Sequence, residues 1–104
     1  MSHPAAARSM EDWISAFLEA QAAGAGAARN TSPAYGRDLK DFAAYLRAAQ
    51  EHFATLTTDH VTAYLARCEA EGLSKATRAR RLSSIRQLFR FAFEEGWRSD
   101  NPAI

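Results

Sequence analysis

Apolar residues return at three- and four-residue intervals in four stretches of the chain. Met10, Trp13, Ile14, Phe17 and Leu18 form the first stripe, and Tyr35, Leu39, Phe42, Leu46 and Ala49 the second. Val61, Tyr64, Leu65 and Cys68 form the third, and Leu82, Ile85, Leu88, Phe89, Ala92 and Phe93 the fourth. Such spacing brings a side chain back to one face of a 3.6-residue helix, and no stretch alternates with the period of two that a strand requires. The pattern predicts helices over about 9–23, 32–50, 58–71 and 74–95, short connections between them, and therefore an all-α four-helix bundle.

Punctuation between the stripes supports these bounds. Ser9 followed by Asp12 reads as a capping-box-like start to the first helix, and the stretch AAGAGAARN breaks it. In TSP, Thr31 or Ser32 is placed to cap the second helix, with Pro33 at its first position, where a missing N–H costs nothing. Thr57 or Thr58 opens the third helix, Gly72 closes it, Ser74 opens the fourth and Gly96 ends that one. Residues 1–8 read as a flexible lead-in and 9–100 as one domain. Asn101-Pro102 reads as the start of a linker, at residues 101–104, because a residue before proline is pushed out of helical geometry. A chain ending so soon after it has the look of a piece cut from a longer protein.

Composition narrows the function. With 104 residues, 47% of them hydrophobic, the chain supports one core and has no room for a sizeable second domain. Its single cysteine, Cys68, has no partner for a disulfide, and the three histidines are too scattered for metal-ligand spacing, so neither a metal nor a cofactor is expected. No segment approaches the roughly 20 apolar residues of a membrane span, and residues 1–10 lack the apolar core of a signal peptide. A soluble, cytoplasmic protein with no membrane partner is expected. His60, Tyr64 and Cys68 share one predicted helix, but no acid is placed to orient His60 and Cys68 sits in the apolar stripe, so no catalytic site is assigned.

Charge changes the picture more. The net charge is only +1, yet between Gly72 and Phe93 stand Lys75, Arg78, Arg80, Arg81, Arg86 and Arg90 with no acid among them. A basic helix surface is by default a solvated one. Here the usual i,i+4 acid–base alternation is missing, and Ser74, Thr77, Ser83, Ser84 and Gln87 are interleaved with the arginines. Guanidinium groups that pair with phosphates or guanine edges, mixed with short hydroxyls, are what a nucleic-acid-binding helix needs. On the helical wheel Arg80, Ser83, Ser84, Gln87 and Arg90 occupy the outer face of the fourth helix, and Arg37, Lys40 and Arg47 that of the second. Arg78 and Arg81 fall toward the inner face, where they project past the core edge or pair with Glu69 or Glu71. Most of the aromatic residues lie on inner stripes and are assigned to the core; Phe91 and Trp97 fall outside the stripes and are the candidates for contact with another domain or protomer.

The segments NTSPAYGRDLKDFAAYL and GLSKATRARRLSSIRQLFRFAFEEGWRSDNP, above all the run R-x-L-S-x-I-R-x-L-F with the closing NP, resemble the N-terminal core-binding domain of tyrosine recombinases of the Xer and phage-integrase type. The resemblance covers about residues 9–104. It implies a SAM-like domain whose second and fourth helices face duplex DNA, joined to a C-terminal catalytic domain that carries the nucleophilic tyrosine. None of Tyr35, Tyr45 or Tyr64 matches that nucleophile, so this chain is expected to be non-catalytic, with duplex DNA and other recombinase protomers as partners. Matching motif to position gives DNA contacts to Arg37, Lys40, Lys75, Thr77, Arg80, Ser84 and Arg86. The wheel independently selects Arg37, Lys40, Arg80 and Ser84, and places Arg86 on a flank. Two alternatives stay open: a helical protein–protein interaction module, whose hot surface would be Phe91, Trp97, Glu94 and Glu95, and a helix-turn-helix regulator domain turning at EGLS.

Overall fold

The structure, a computed structural model, describes residues 8–24 and 33–104. It contains four helices, α1 (Met10–Ala23), α2 (Tyr35–Ala48), α3 (Thr58–Ala70) and α4 (Lys75–Glu94). The described residues include no strand, and the all-α bundle expected from the four stripes is what forms. Residues 1–7 of the lead-in expected at 1–8, and the proposed caps Thr31 and Ser32, lie outside the described residues.

Local chemistry explains most of the boundaries. The Ser9 side chain accepts a hydrogen bond from the Asp12 N–H at 3.0 Å, and Ser74 does the same for Thr77 at 3.1 Å, satisfying donors that a first helical turn leaves unpaired. At α3 the His60 Nδ1 accepts from the Thr57 N–H at 3.0 Å, so this histidine serves the helix start. Gly72 and Gly96 close α3 and α4 with φ of 88° and 78°, the left-handed geometry that costs glycine nothing. The start of α2 differs from expectation: Pro33 lies in a turn ahead of the helix, and Ala34 precedes Tyr35 without a side-chain cap. Its end comes at Ala48, where Gln50 takes a φ of 60° and the Glu51 N–H turns back to the Leu46 carbonyl at 2.8 Å.

α2 and α4 form the middle of the bundle: each packs on the other and on both α1 and α3. Where α1 meets α4 lies an aromatic cluster around the fully buried Trp13, whose ring stands 5.0 Å from Trp97, 5.7 Å from Phe53 and 6.3 Å from Phe89. Phe53 and Leu56, in the connection from α2 to α3, are fully buried as well. No periodic stripe marks them, because they enter the core from a loop.

Four placements correct the sequence reading. Trp97, expected to face a partner, is 9% exposed and sits between Trp13 and Phe91. Phe91, also expected to face outward, packs its ring 5.9 Å from Phe17. Phe93, assigned to the inner stripe, is 55% exposed, and Leu82 is only half-buried. The physical reason is the turn after α4: the Trp97 N–H bonds the Ala92 carbonyl at 2.8 Å and folds the indole back under α1, which draws Phe91 inward and leaves Phe93 outside.

The chain beyond Trp97 is held down. Arg98 donates to the carbonyls of Phe53 at 2.8 Å and Leu56 at 3.0 Å, and pairs with Asp100 at 2.9 Å, holding that carboxyl below its usual range. Its guanidinium also lies over the Phe89 ring at 5.5 Å. Residues 101–103, read from sequence as the start of a linker, lie against α4: the Asn101 side chain donates to the Arg86 carbonyl and accepts from the Ala103 N–H, and Pro102 and Ala103 are buried.

These contacts order the effects of substitution. Phe89→Ala is expected to cost roughly 3–5 kcal/mol of stability through lost burial and a cavity, whereas Phe93→Ala costs less than about 0.5 kcal/mol. Chemical denaturation of both variants checks this, and the opposite order would refute the placement of the two rings. Arg98→Ala strips the carbonyls of two fully buried residues of their donor and is expected to cost about 1–3 kcal/mol in the same measurement.

Candidate nucleic-acid interface

The positive charges of α4 find acids that are distant in sequence and adjacent in space. Asp38, one turn into α2 and 2% exposed, takes Arg80 in a two-pronged pair: Nε to Oδ2 at 2.8 Å and Nη2 to Oδ1 at 3.0 Å. Arg81 reaches Asp41 at 2.8 Å and the Tyr64 hydroxyl at 2.9 Å, with its Nε 3.7 Å from Asp38. Tyr64 in turn donates to Asp41 at 2.7 Å. This network ties α2, α3 and α4 together at one end of the bundle.

Its electrostatics follow from burial and pairing. Burial, with the hydrogen bond to Asp41, pushes the Tyr64 hydroxyl far above its ordinary pKa, so it stays a protonated donor. The hydrogen bond and charge of Asp38 raise the pKa of Arg80. Burial works against the charge of Arg81, but Tyr64 and Asp41 outweigh it and its pKa is raised too. Both guanidiniums therefore remain charged across the physiological range.

The remaining basic residues divide sharply. Arg78 bonds the Leu73 carbonyl at 3.3 Å and lies 3.9 Å from Glu69, the pairing expected for it, whereas Arg81 chooses acids of α2 over Glu69 or Glu71. Arg90 has Glu94 one turn on at 3.6 Å, and Arg47 pairs with Glu11 of α1. Arg86 is exposed but spends its Nε on the Ala103 carbonyl at 2.9 Å. Among the described residues Arg37, Lys40 and Lys75 are exposed and have no ion-pair partner.

The expected site residues thus do not all face solvent. Arg37, Lys40 and Lys75 are open, and Arg80 is partly open, with 38% of its side chain exposed. Thr77 is half-buried and receives a hydrogen bond from the Ser74 hydroxyl at 3.0 Å. Ser84 is a correction: it is fully buried, its hydroxyl bonded to the Arg81 carbonyl at 2.7 Å, and it has no path to a ligand. It lies beside Ile85 and Leu88, and a serine can turn its hydroxyl back onto its own helix when the wheel carries it inside. Ser83, beside it, is the more exposed hydroxyl and meets the Tyr35 hydroxyl at 3.0 Å. Asp38 went unassigned in the sequence reading, since one acid in a helix carries no signal of what will face it.

α4 differs from the other helices at its start. α1, α2 and α3 each carry an acid in the first turn, whereas α4 carries none and has Lys75 there instead. Its unpaired N–H groups and positive dipole end are therefore left without a local anion. Among the described residues no group of three acids, histidines or cysteines is placed to hold a metal ion, and no helix is long and apolar enough to cross a membrane.

Comparison with known proteins agrees with the architecture. Residues 10–96 match the family described as phage integrase, N-terminal SAM-like domain. Tyrosine recombinase XerD of Caulobacter vibrioides is 44% identical over 93 residues, which cover 89% of this chain and 30% of that protein. The XerD proteins of Rhizobium meliloti and Brucella abortus are 38% and 43% identical, each over 86% of this chain and 29% of their own length. The chain therefore spans less than a third of these relatives. No solved structure matches significantly.

The network makes one stability prediction. Asp38→Ala removes the carboxylate that takes both prongs of Arg80 at the α2–α4 junction and is expected to destabilise the domain by about 1–3 kcal/mol, whereas Arg90→Ala leaves the denaturation midpoint unchanged. Equal midpoints for Asp38→Ala and the parent would show that the junction contributes nothing.

Proposed function

The chain belongs to the family of phage-integrase N-terminal SAM-like domains, and from that membership we propose that it is the DNA-binding domain of a cytoplasmic tyrosine recombinase. In this reading it holds duplex DNA through α2 and α4, positions a catalytic domain supplied by the rest of the protein, and works beside other recombinase protomers. Cleavage and strand exchange belong to that catalytic domain; no residue of this chain is given a covalent role.

The observation that carries the reading is the selective exposure of cations on two adjacent helices. Internal ion pairs consume Arg78, Arg81 and Arg47, yet Arg37 and Lys40 on α2 and Lys75 at the acid-free start of α4 remain open, with Arg80 half-open between the helices. Exposed cations of this kind neutralise backbone phosphates and release the counterions condensed on them, and the N–H groups of a helix start bind phosphate oxygens. Thr77 and the free end of Arg86 supplement the set. The protein-interaction reading loses two of its markers, because Phe91 and Trp97 are engaged inside the fold.

With a net charge of +1, binding by this domain is expected to be weak and strongly salt-dependent. Fluorescence anisotropy with a labelled duplex at low and at physiological salt measures it. Arg37→Ala combined with Lys40→Ala should weaken binding and lower the salt slope by about two, one for each phosphate contact, at an unchanged melting temperature. Ser84→Ala should leave DNA affinity as it is in the parent. Absence of binding even at low salt would sink the reading.

A further inference from the structure

We propose that Asp38 is a positioning residue for DNA, acting through Arg80: it grips one edge of the guanidinium and holds the opposite edge ready for a backbone phosphate. The inference rests on the DNA-binding reading above and names a residue that neither the sequence motifs nor the exposed cations point to.

A guanidinium carries five N–H donors in one plane, arranged as forks that each match a pair of acceptor oxygens. The Asp38 carboxylate fills the side fork of Arg80, Nε and Nη2, at 2.8 and 3.0 Å. Two of five donors are then used. The end fork, formed by Nη1 and the second hydrogen of Nη2, has no acceptor among the described residues, and 38% of the side chain is open to solvent. A phosphate offers two oxygens of matching geometry.

The pairing cannot be shed when a ligand arrives. Asp38 is 2% exposed, so releasing Arg80 would leave a buried carboxylate dependent on Arg81, whose Nε is 3.7 Å away and whose Nη1 is committed to Asp41 and the Tyr64 hydroxyl. Arg80 is therefore fixed before binding, and the rotamer freedom that a surface arginine loses on meeting a phosphate has already been given up on folding. Flanking it one turn away on either side are Thr77 and Ser83, both half-buried and hydrogen-bonded within the domain, which leaves the guanidinium edge as the protruding donor of that helix face.

Positioning and bulk charge predict opposite signs. Asp38→Asn adds one unit of positive charge, so an attraction governed by net charge rises; loss of the grip on Arg80 makes it fall. Binding of a mixed-sequence duplex to the parent chain, Arg80→Ala, Arg80→Lys, Asp38→Asn and the Asp38→Asn/Arg80→Ala double variant is measured by anisotropy at fixed salt, with melting curves as a check on folding. Arg80→Ala is expected to weaken binding roughly tenfold. Arg80→Lys should lose nearly as much although its charge is kept, because an ammonium cannot occupy both sites. Asp38→Asn should weaken binding, and in the double variant it should add nothing to the loss from Arg80→Ala. The proposal is overturned if Arg80→Lys binds like the parent, if Asp38→Asn binds more tightly, or if the two losses multiply. Arg80→Lys retains Asp38 and decides the matter even where Asp38→Asn does not fold. A parent chain that binds no DNA overturns this proposal together with the reading beneath it, whereas a parent that binds with an indifferent Arg80 overturns this proposal alone.

Discussion

A single buried carboxylate organises one end of this domain. Asp38 lies at the edge of the inner stripe of α2, where solvent is excluded, and an unpaired carboxylate there would cost several kcal/mol, a large fraction of a small domain's stability. The cost is offset only if cations are brought to it with good geometry, and α4 delivers Arg80 in a two-pronged pair and Arg81 close behind. That requirement sets how α2 and α4 face each other near their junction. The Asp41–Tyr64–Arg81 contacts extend the same demand to α3, since Tyr64 satisfies one acid and one base at once.

The opposite end is held by a different force. There Trp13, Phe53, Phe89 and Trp97 meet edge-on or tilted at 5.0–6.3 Å, the arrangement that suits aromatic quadrupoles and removes a large apolar area from water. A loop residue and a tail residue are as much a part of this cluster as the helices. Arg98 closes it by satisfying two loop carbonyls while lying over Phe89, so the segment after α4 becomes a strap across the core. Anchoring at both ends gives the α2–α4 surface the rigidity that the proposed phosphate-binding role would require.

The two anchors also sort the basic residues by role. Pairing with α2 and α3 converts half of the positive run of α4 into structural charge, and what is left for a polyanion is a smaller, better-defined set shared between two helices. A domain that is nearly neutral overall still presents a local cationic face, because its acids are drawn toward the junction or onto other surfaces. Weak, orientation-dependent binding is the form of recognition such a surface favours.

Much of the architecture was legible in the residues themselves. The four stripes, Ser9 and Ser74 at helix starts, and Gly72 and Gly96 at helix ends are local signals, since capping and periodicity act within a turn or two of chain, and they located the helices to within a few residues. The positive run of α4 was equally plain. What the sequence could not express was which acids would stand opposite it: Asp38 and Arg80 are 42 residues apart, and only the crossing of α2 and α4 makes them neighbours. The same holds for Phe53, Leu56 and Trp97, which reach the core from outside any helix, and for Phe93 and Ser84, which the wheel put on the inner and the outer face and which the folded domain places the other way round. The chain alone therefore determined its helices and its excess of positive charge on one of them, because both are properties of neighbours in sequence. Tertiary structure decided which charges are spent on the fold and which remain for a ligand, because pairing depends on distances that only packing creates.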